Sequence, residues 1–359
     1  MTAVITSFLL SSFLTILIIR YRFVHEKLSA DTDFDSPQKF HTVAVPRIGG
    51  AAIFLALLFG ALIRAISDEY SGTLLLQMLL CSLPAFLSGL IEDLTKKISP
   101  LIRLSACFGS AILAVLILNT SITSIAISWI DRVLAIPLVA AALSCLMISG
   151  LTNSYNIIDG FNGLACMIGA ITLAAIAYVA FRNHDFTLLF IAFFTIATVM
   201  GFFIWNFPRG LIFLGDGGAY LLGFWIAILS VLLIQRNPAV SPWFVCLINI
   251  YPIFETLFSI WRKKFIKKMS PGMPDGAHLH MLIYGRIARW INPSQSNTFF
   301  SSNARTSPFL WLLSSLAVFP AAIWWKNTLV LEGFTALFCI SYVYIYRSIV
   351  QFKIPRWLK

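Results

Sequence analysis

Four polar residues recur at every third position of one short stretch between two long apolar runs: Asn153, Asn156, Asp159 and Asn162. Because each three-residue step on a helix drifts only about 60° around the axis, the first three side chains share one face. Gly160 and Gly163 flank the fourth and allow the backbone to leave helical geometry and approach a ligand closely. Each amide or carboxylate alone could cap a helix or a turn. Together they indicate a polar ligand site.

Acidic residues lie beside two other apolar runs. Glu92 and Asp93 are adjacent carboxylates at the end of one run, where they oppose the helix macrodipole and each other. They could pair with Lys96 and Lys97, or one of them could contact a metal or act as a general base. Asp216 stands among glycines just before a later run. It could cap that helix without a ligand, but its setting also suits a hard cation beside a diphosphate.

Basic residues and histidines in similar loops offer contacts to phosphate. Lys39 and Arg47 precede the pair Gly49-Gly50, which allows tight helix packing or close approach to a phosphate. His278-Leu279-His280 begins a segment whose apolar stripe and Arg286 lie on different faces, which predicts a short interfacial helix in the 262–308 loop. The two histidines could bind a metal. With no third histidine nearby, a phosphate or nucleotide contact fits them better.

The composition identifies a polytopic membrane protein. Hydrophobic residues make up 59% of the 359 residues and charged residues 11%, and the mean hydropathy is +0.86, far outside the range of soluble domains. We predict an all-α integral membrane bundle of about 11 transmembrane helices, forming a single domain over residues 1–359. The predicted spans have the length that crosses a ~30 Å hydrocarbon core: 3–19, 48–66, 72–91, 101–118, 133–152, 164–181, 187–205, 218–234, 242–261, 309–325 and 329–346.

The Lys and Arg residues lie almost entirely in alternate loops. If the N-terminus is outside, the cytoplasmic loops and the C-terminal tail hold all but five of the 26 basic residues, as the positive-inside rule requires. The other five are Arg64, Arg132, Arg182, Arg236 and Lys326. We therefore expect an outer N-terminus and a cytoplasmic C-terminus. This topology and contact with anionic membrane lipids explain the net charge of +11 without a nucleic acid partner.

All the motifs described above fall in the loops assigned to the cytoplasm. A transporter would place ionisable residues near the membrane midplane. Here Glu255 is the only acidic residue well inside a predicted span, and it lies within two turns of Arg262. An active site on the cytoplasmic face, supplied with a soluble anionic substrate, therefore fits better than a permeation path. A membrane transporter and a non-catalytic membrane scaffold are the alternative classes.

These motifs resemble those of the polyprenyl-phosphate N-acetylhexosamine-1-phosphate transferases, a family that includes the phospho-MurNAc-pentapeptide transferase of peptidoglycan synthesis. Five ordered motifs cover nearly the whole chain, and the most specific are Asn153 to Ala165 and Phe213-Leu214-Gly215-Asp216. His278-Leu279-His280 is more similar to the enzymes that start O-antigen, enterobacterial common antigen or teichoic acid synthesis. The resemblance implies about ten or eleven helices in the bacterial inner membrane, often as a homodimer, with a cytoplasmic active site.

The activity implied by the resemblance is transfer of a sugar 1-phosphate, such as an N-acetylhexosamine 1-phosphate, from a UDP-sugar to undecaprenyl phosphate, with UMP as the leaving group. It would initiate a cell-envelope polysaccharide such as lipopolysaccharide, and the peptidoglycan reaction is the alternative within the family. Magnesium, or manganese, would neutralise the two anionic substrates. Its implied ligand is Asp216, with Asp93 or Asp159 in its inner or outer shell. Direct attack and a covalent intermediate both stay open.

The resemblance also assigns roles to residues, with two departures from the family pattern. The family's acidic pair is usually Asp-Asp, and since the first position is Glu92 here, the general base is assigned to Asp93, with Asp159 as the further catalytic acid. Asn162 replaces a family Asp, so it can bond the nucleotide but brings no charge. The implied substrate-binding residues are Lys39, Arg47, His278, His280 and Arg286 for phosphates, and Asn153, Asn156, Asn162, Asn206 and Phe213 for the nucleotide.

Overall fold

The computed structural model describes residues 1–23, 45–270, 276–291 and 299–351, and it describes the side chains of all of these except 287–291 and 299–303. These residues form an all-α protein. The helices are α1 Thr2–Arg20, α2 Gly49–Ser67, α3 Glu69–Thr95, α4 Pro100–Leu118, α5 Ser128–Leu134, α6 Pro137–Ile158, α7 Leu164–Arg182, α8 Phe186–Asn206, α9 Gly215–Arg236, α10 Pro242–Ile248, α11 Ile250–Trp261, α12 Leu279–Ile291, α13 Phe299–Ile323 and α14 Thr328–Val350.

The predicted membrane class is confirmed. In the described part of the chain, 10 helices are long and apolar enough to cross a membrane, and the number rises to 11 if the bent pair α10 and α11 counts as one span. Each of the predicted spans coincides with one of these helices or with that pair. The segment that begins at Leu279 is helical, as its amphipathic pattern predicts.

The span predicted over 242–261 differs from the structure because it breaks at Asn249. The helical segments on either side of this residue are bent by 72°. Pro252 has no N–H group, so the carbonyl of Ile248 cannot receive its usual helical bond from that position. The Thr172 hydroxyl donates to this carbonyl instead, at 3.2 Å. Asn249 is fully buried, and its side-chain amide donates to the carbonyl of Val245 at 3.0 Å.

The centre of the bundle is α9. Its candidate span is 94% buried inside the protein, and it contacts α2, α3, α6, α7, α8 and α10. A helix that is apolar all round is expected in such a fully enclosed position. Glycines bring it close to its neighbours, because a Cβ added at Gly89 of α3 would lie only 2.6 Å from the carbonyl carbon of Asp216 and from the Cα of Gly217. Small residues at such contacts let helix backbones approach in a membrane.

Alternate connections meet at the same end of the bundle, as the predicted topology requires. At one end, the segment before α2 bonds the α8–α9 connection, where the Phe213 N–H donates to the Pro46 carbonyl at 2.8 Å. At the other end, Arg236 binds Asp185 through Nε at 2.8 Å, and the Ser241 N–H donates to the Trp325 carbonyl at 3.1 Å. The predicted site residues that the structure describes all belong to the first end, which is hereafter called the site end.

The close contact between α3 and α9 predicts that one added methyl group at Gly89 destabilises the protein. Gly89→Ala should lower the Tm and the activity, because overpacking two helix backbones costs about 1–3 kcal/mol. Gly150→Ala is the matched control, since a Cβ at Gly150 meets nothing within 4 Å, and its Tm should stay the same or rise. Thermal unfolding of the purified proteins in detergent measures both. An unchanged Tm for Gly89→Ala would contradict the close approach.

Candidate active site

The side chain of Asp93 joins two helices at the site end. It lies in the last turn of α3 and is only 3% exposed. Its Oδ1 accepts the backbone N–H of Asp216 at 2.9 Å, and its Oδ2 accepts that of Gly217 at 3.0 Å. Asp93 thus satisfies two N–H groups of the first turn of α9, where a negative charge is favourable.

Two arginines surround the carboxylate of Asp216. Arg103 of α4 forms an ion pair with Oδ2, and Nη2 of Arg47 lies 3.4 Å from Oδ1 of Asp216 and 3.8 Å from Oδ1 of Asp93. Arg103 was not among the predicted site residues. Its sequence signal is a cation in the first turn of a helix, a position that the macrodipole disfavours unless an anion lies nearby.

Backbone pairing holds Arg47 at this position. Residues 45–50 run beside the end of the α8–α9 connection: the Gly49 N–H donates to the Phe213 carbonyl at 3.1 Å and the Gly50 N–H to the Leu214 carbonyl at 2.9 Å. Gly215 has a φ of +76°, in the left-handed region that favours glycine. The predicted glycine pair Gly49-Gly50 therefore contributes close backbone packing next to Asp93 and Asp216.

Two of the predicted nucleotide contacts hold the loops of the site end together. Asn206 is 4% exposed. Its Oδ1 accepts the Gly163 N–H at 2.5 Å and its Nδ2 donates to the Ile212 carbonyl at 2.7 Å. Asn162 donates through Nδ2 to the Pro208 carbonyl at 3.3 Å. These amides fix the turn before α7 against the α8–α9 connection, and their predicted contact with the nucleotide stays a prediction.

The other members of the polar stretch are open. Asn153, Asn156 and Asp159 are half-buried at the end of α6, and their side chains make no hydrogen bond with the part of the chain that the structure describes. Loss of hydration, together with the negative charge of Asp216, raises the pKa of Asp159 to about 7, while Arg47 acts in the opposite direction. These three side chains are therefore available to a ligand.

The two predicted histidines lie together but differ in their partners. Nδ1 of His278 lies 2.9 Å from Oε1 of Glu255, whereas His280 is 1% exposed and neither of its ring nitrogens has a hydrogen-bond partner. The rings stack with centroids 5.3 Å apart. Burial, followed by the charge of His278, lowers the pKa of His280 to about 3, against the effect of Glu255. His280 is therefore neutral near pH 7, so it cannot clamp a phosphate by charge in this state.

The remaining predicted residues have separate positions. Glu92 accepts the Ile98 N–H through Oε2 at 2.7 Å. Arg286 donates through Nη2 to the Ile349 carbonyl at 2.6 Å, which connects α12 with α14. Phe213 is partly buried beside the pairing of residues 45–50. Lys39 lies outside the described residues.

Comparison with known proteins identifies the family. A model of glycosyl transferase family 4 matches residues 75–234. A probable undecaprenyl-phosphate N-acetylglucosaminyl 1-phosphate transferase of Bacillus subtilis is 30% identical over 288 residues, which cover 78% of this chain and 77% of that protein. The chain belongs to glycosyl transferase family 4. The predicted resemblance is thus confirmed, and the residues matched by the family model include Asp93, the polar stretch and Asp216 but not the histidines.

Two other relatives of this family 4 protein are named as different transferases. An undecaprenyl-phosphate alpha-N-acetylglucosaminyl 1-phosphate transferase of Thermotoga maritima is 28% identical over 292 residues, covering 80% of this chain and 81% of that protein. A phospho-N-acetylmuramoyl-pentapeptide-transferase of Streptococcus agalactiae is 28% identical over 254 residues, covering 66% and 73%. Both kinds of enzyme were implied by the motifs of the sequence.

The carboxylates of Asp216 and Asp159 can be compared with the ligand set of a magnesium ion that a substrate phosphate also binds. Among the described residues, no three His, Cys, Asp or Glu side chains are grouped as an all-protein metal site would require. Asp216 and Asp159 are nevertheless close enough for one charge to raise the pKa of the other acid. Magnesium commonly takes one or two carboxylates and completes its shell with phosphates and water. The donor set of this family 4 site fits that arrangement.

The contacts of the two adjacent acids predict different mutational effects. Asp93→Asn should reduce turnover on the order of 10²-fold, because Asp216 and the first turn of α9 lose the carboxylate that positions them, and a misplacement of about 1 Å costs about that much. It should also lower the Tm, because an amide cannot accept both N–H groups of α9. Glu92→Gln should keep turnover within a few-fold, since its amide oxygen can still accept the Ile98 N–H. Initial rates and thermal unfolding of both variants test this. Equal loss of turnover in two folded variants would contradict the division.

Proposed function

We propose that this family 4 protein transfers a sugar 1-phosphate from a UDP-sugar to undecaprenyl phosphate and releases UMP. Similarity to two N-acetylglucosaminyl 1-phosphate transferases over most of the chain supports the acceptor and the reaction class. The observation that carries the proposal is the cluster of Asp93, Asp216, Arg47 and Arg103. It combines carboxylates for a cation with guanidinium groups for phosphates at the end of the bundle where the polar loops meet.

The reaction joins two anions, which explains the residues that surround it. A phosphate oxygen of undecaprenyl phosphate forms a bond to the sugar-bearing phosphorus, and the bond from that phosphorus to UMP breaks. Arg47 and Arg103 would neutralise phosphate oxygens, for which the planar guanidinium group is well suited. The open side chains of Asn153 and Asn156 would bond the nucleotide. Asp93 would keep Asp216 and the first turn of α9 in place.

Magnesium, or manganese in its place, completes the proposal. Asp216 and Asp159 would hold the ion, with Asp93 behind them. When bound, it would withdraw charge from the oxygens of the phosphoryl group that is transferred. A cation bound between Asp216 and Asp159 would favour the ionised form of Asp159, whose pKa is raised to about 7 by burial and by the charge of Asp216.

We also propose that the protein lies in the bacterial inner membrane with its site end facing the cytoplasm, where UDP-sugars are made. The distribution of Lys and Arg supports this orientation. A homodimer stays a prediction from the resemblance.

Labelling of intact cells tests the orientation. Lys97 is exposed at the site end, and Ala239 is exposed at the opposite end. In a cysteine-free background, an impermeant thiol reagent should label Ala239→Cys in intact cells and Lys97→Cys only after the membrane is opened. The cysteine-free parent is the control for background labelling. The reverse pattern would place the site outside and remove the cytoplasmic UDP-sugar from the proposal.

A panel of donors tests the reaction itself. Purified protein with undecaprenyl phosphate and magnesium should release UMP from a UDP-N-acetylhexosamine, and should stop when the lipid phosphate is omitted or the metal is chelated. UDP-GlcNAc, UDP-GalNAc, UDP-FucNAc and UDP-MurNAc-pentapeptide should be compared by kcat/KM. Preference for the pentapeptide donor would favour the peptidoglycan reaction over initiation of a polysaccharide such as lipopolysaccharide. Absence of UMP with every donor would contradict the proposed function.

A further inference from the structure

We propose that Glu255 is a positioning residue that holds the ring of His278 in the orientation and tautomer in which it contacts the UDP-sugar through Nε2. This inference rests on the proposed function, because it names the substrate that the ring would meet. Glu255 lies in α11, within a membrane-spanning segment, and is fully buried. A buried carboxylate is costly unless it is paired and hydrogen-bonded. The groups that pair with Glu255 therefore indicate its role.

The partners of Glu255 come from the start of α12 and from α14. Oε1 faces Nδ1 of His278 at 2.9 Å and accepts the backbone N–H of Leu279 at 3.4 Å. Oε2 accepts the hydroxyl of Tyr342 in α14 at 2.5 Å. A carboxylate that accepts bonds on both oxygens is fixed in orientation. Through it, the first residues of α12 are tied to α11 and α14.

These contacts determine which ring nitrogen of His278 is left for a substrate. An ionised carboxylate can only accept hydrogen bonds, so Nδ1 of His278 must carry the proton that lies between them. Nε2 then makes no hydrogen bond with the described residues, and the His278 side chain is 7% exposed. The neighbouring His280 has no such carboxylate and is almost fully enclosed. Of the two histidines, His278 is the one that a carboxylate orients, and it keeps the larger exposed fraction.

The break at Asn249 places Glu255 for this role. Because α11 turns away from α10 by 72°, its second turn reaches the start of α12. The break is fixed by contacts from α6 and α7, where the Tyr155 hydroxyl lies 3.5 Å from Oδ1 of Asn249 and Thr172 bonds the Ile248 carbonyl. The helix that carries Asn153 and Asn156 thus also contacts the break that precedes Glu255.

Kinetics on both substrates test the inference. Glu255→Gln keeps the size of the side chain but can accept from one tautomer of His278 and donate to the other, so the ring is no longer held in one state. We expect the KM for the UDP-sugar to rise on the order of tenfold, the lower end of the effect of removing a carboxylate that orients a histidine, while the KM for undecaprenyl phosphate stays unchanged. Tyr342→Phe removes one bond to Glu255 and should give a smaller change of the same kind.

A double-mutant cycle separates positioning from general stability. In a His278→Gln background, Glu255→Gln should have no further effect on kcat/KM for the UDP-sugar, because its influence passes through that ring. Additive effects, or equal rises in both KM values, would overturn the inference. The matched control is Asp185→Asn, a buried carboxylate at the opposite end that binds Arg236. It should lower the Tm without changing either KM.

A spectroscopic measurement makes the inference independent of turnover. In protein labelled with ¹⁵N-histidine, the His278 signals should show a protonated Nδ1, and Glu255→Gln should change the ratio of tautomers. Assignment uses the loss of these signals in His278→Gln. An unchanged tautomer ratio would overturn the inference, even with a fully active enzyme. An inactive wild type with the expected tautomer shift would instead reject the proposed function and leave the positioning contact supported.

Discussion

The bond between the Asp93 carboxylate and the first turn of α9 is the constraint on which the site depends. An acid at the C-terminal end of its own helix opposes that helix's dipole. Here the same side chain lies at the N-terminal end of α9, where the dipole has the opposite sign and two N–H groups need acceptors. The placement that looks unfavourable along the sequence is thus favourable between helices. It also requires the backbones to approach closely, which is why glycine occupies position 89.

Hydrogen bonding divides the polar residues of the site end into two groups. Asp93 and Asn206 have their acceptors or donors used by backbone groups of neighbouring loops. Asn153, Asn156 and Asp159 have no such partners in the described residues. The first group keeps the loops in register, and the second is available to a ligand. Precise positioning by supporting residues is what phosphoryl transfer needs, because orientation and electrostatics supply most of its catalysis.

The sequence predicted the membrane spans and the end of the bundle where the polar loops meet, because hydropathy and the charge of loops are local properties. The sequence alone presents the two adjacent acids as equivalent, and their different roles stay a prediction, but the structure gives them different partners. The sequence could not predict that Arg103 pairs with Asp216, since these residues are 113 positions apart. In the sequence Glu255 is only an isolated acid, because its partners His278 and Tyr342 come from distant parts of the chain. The break at Asn249 depends on Thr172, another distant residue.

Because other helices enclose α9, its residues are largely separated from the surrounding lipid. Only 22% of the candidate spans of α1, α4 and α14 is buried inside the protein, against 94% for α9. Bilayers of different thickness act on helices that touch acyl chains, by tilting them or by thinning the bilayer around them. The outer helices therefore absorb hydrophobic mismatch, while α9 meets protein on nearly every side. The first turn of α9, which carries Asp216, is therefore held mainly by protein contacts and not by acyl chains.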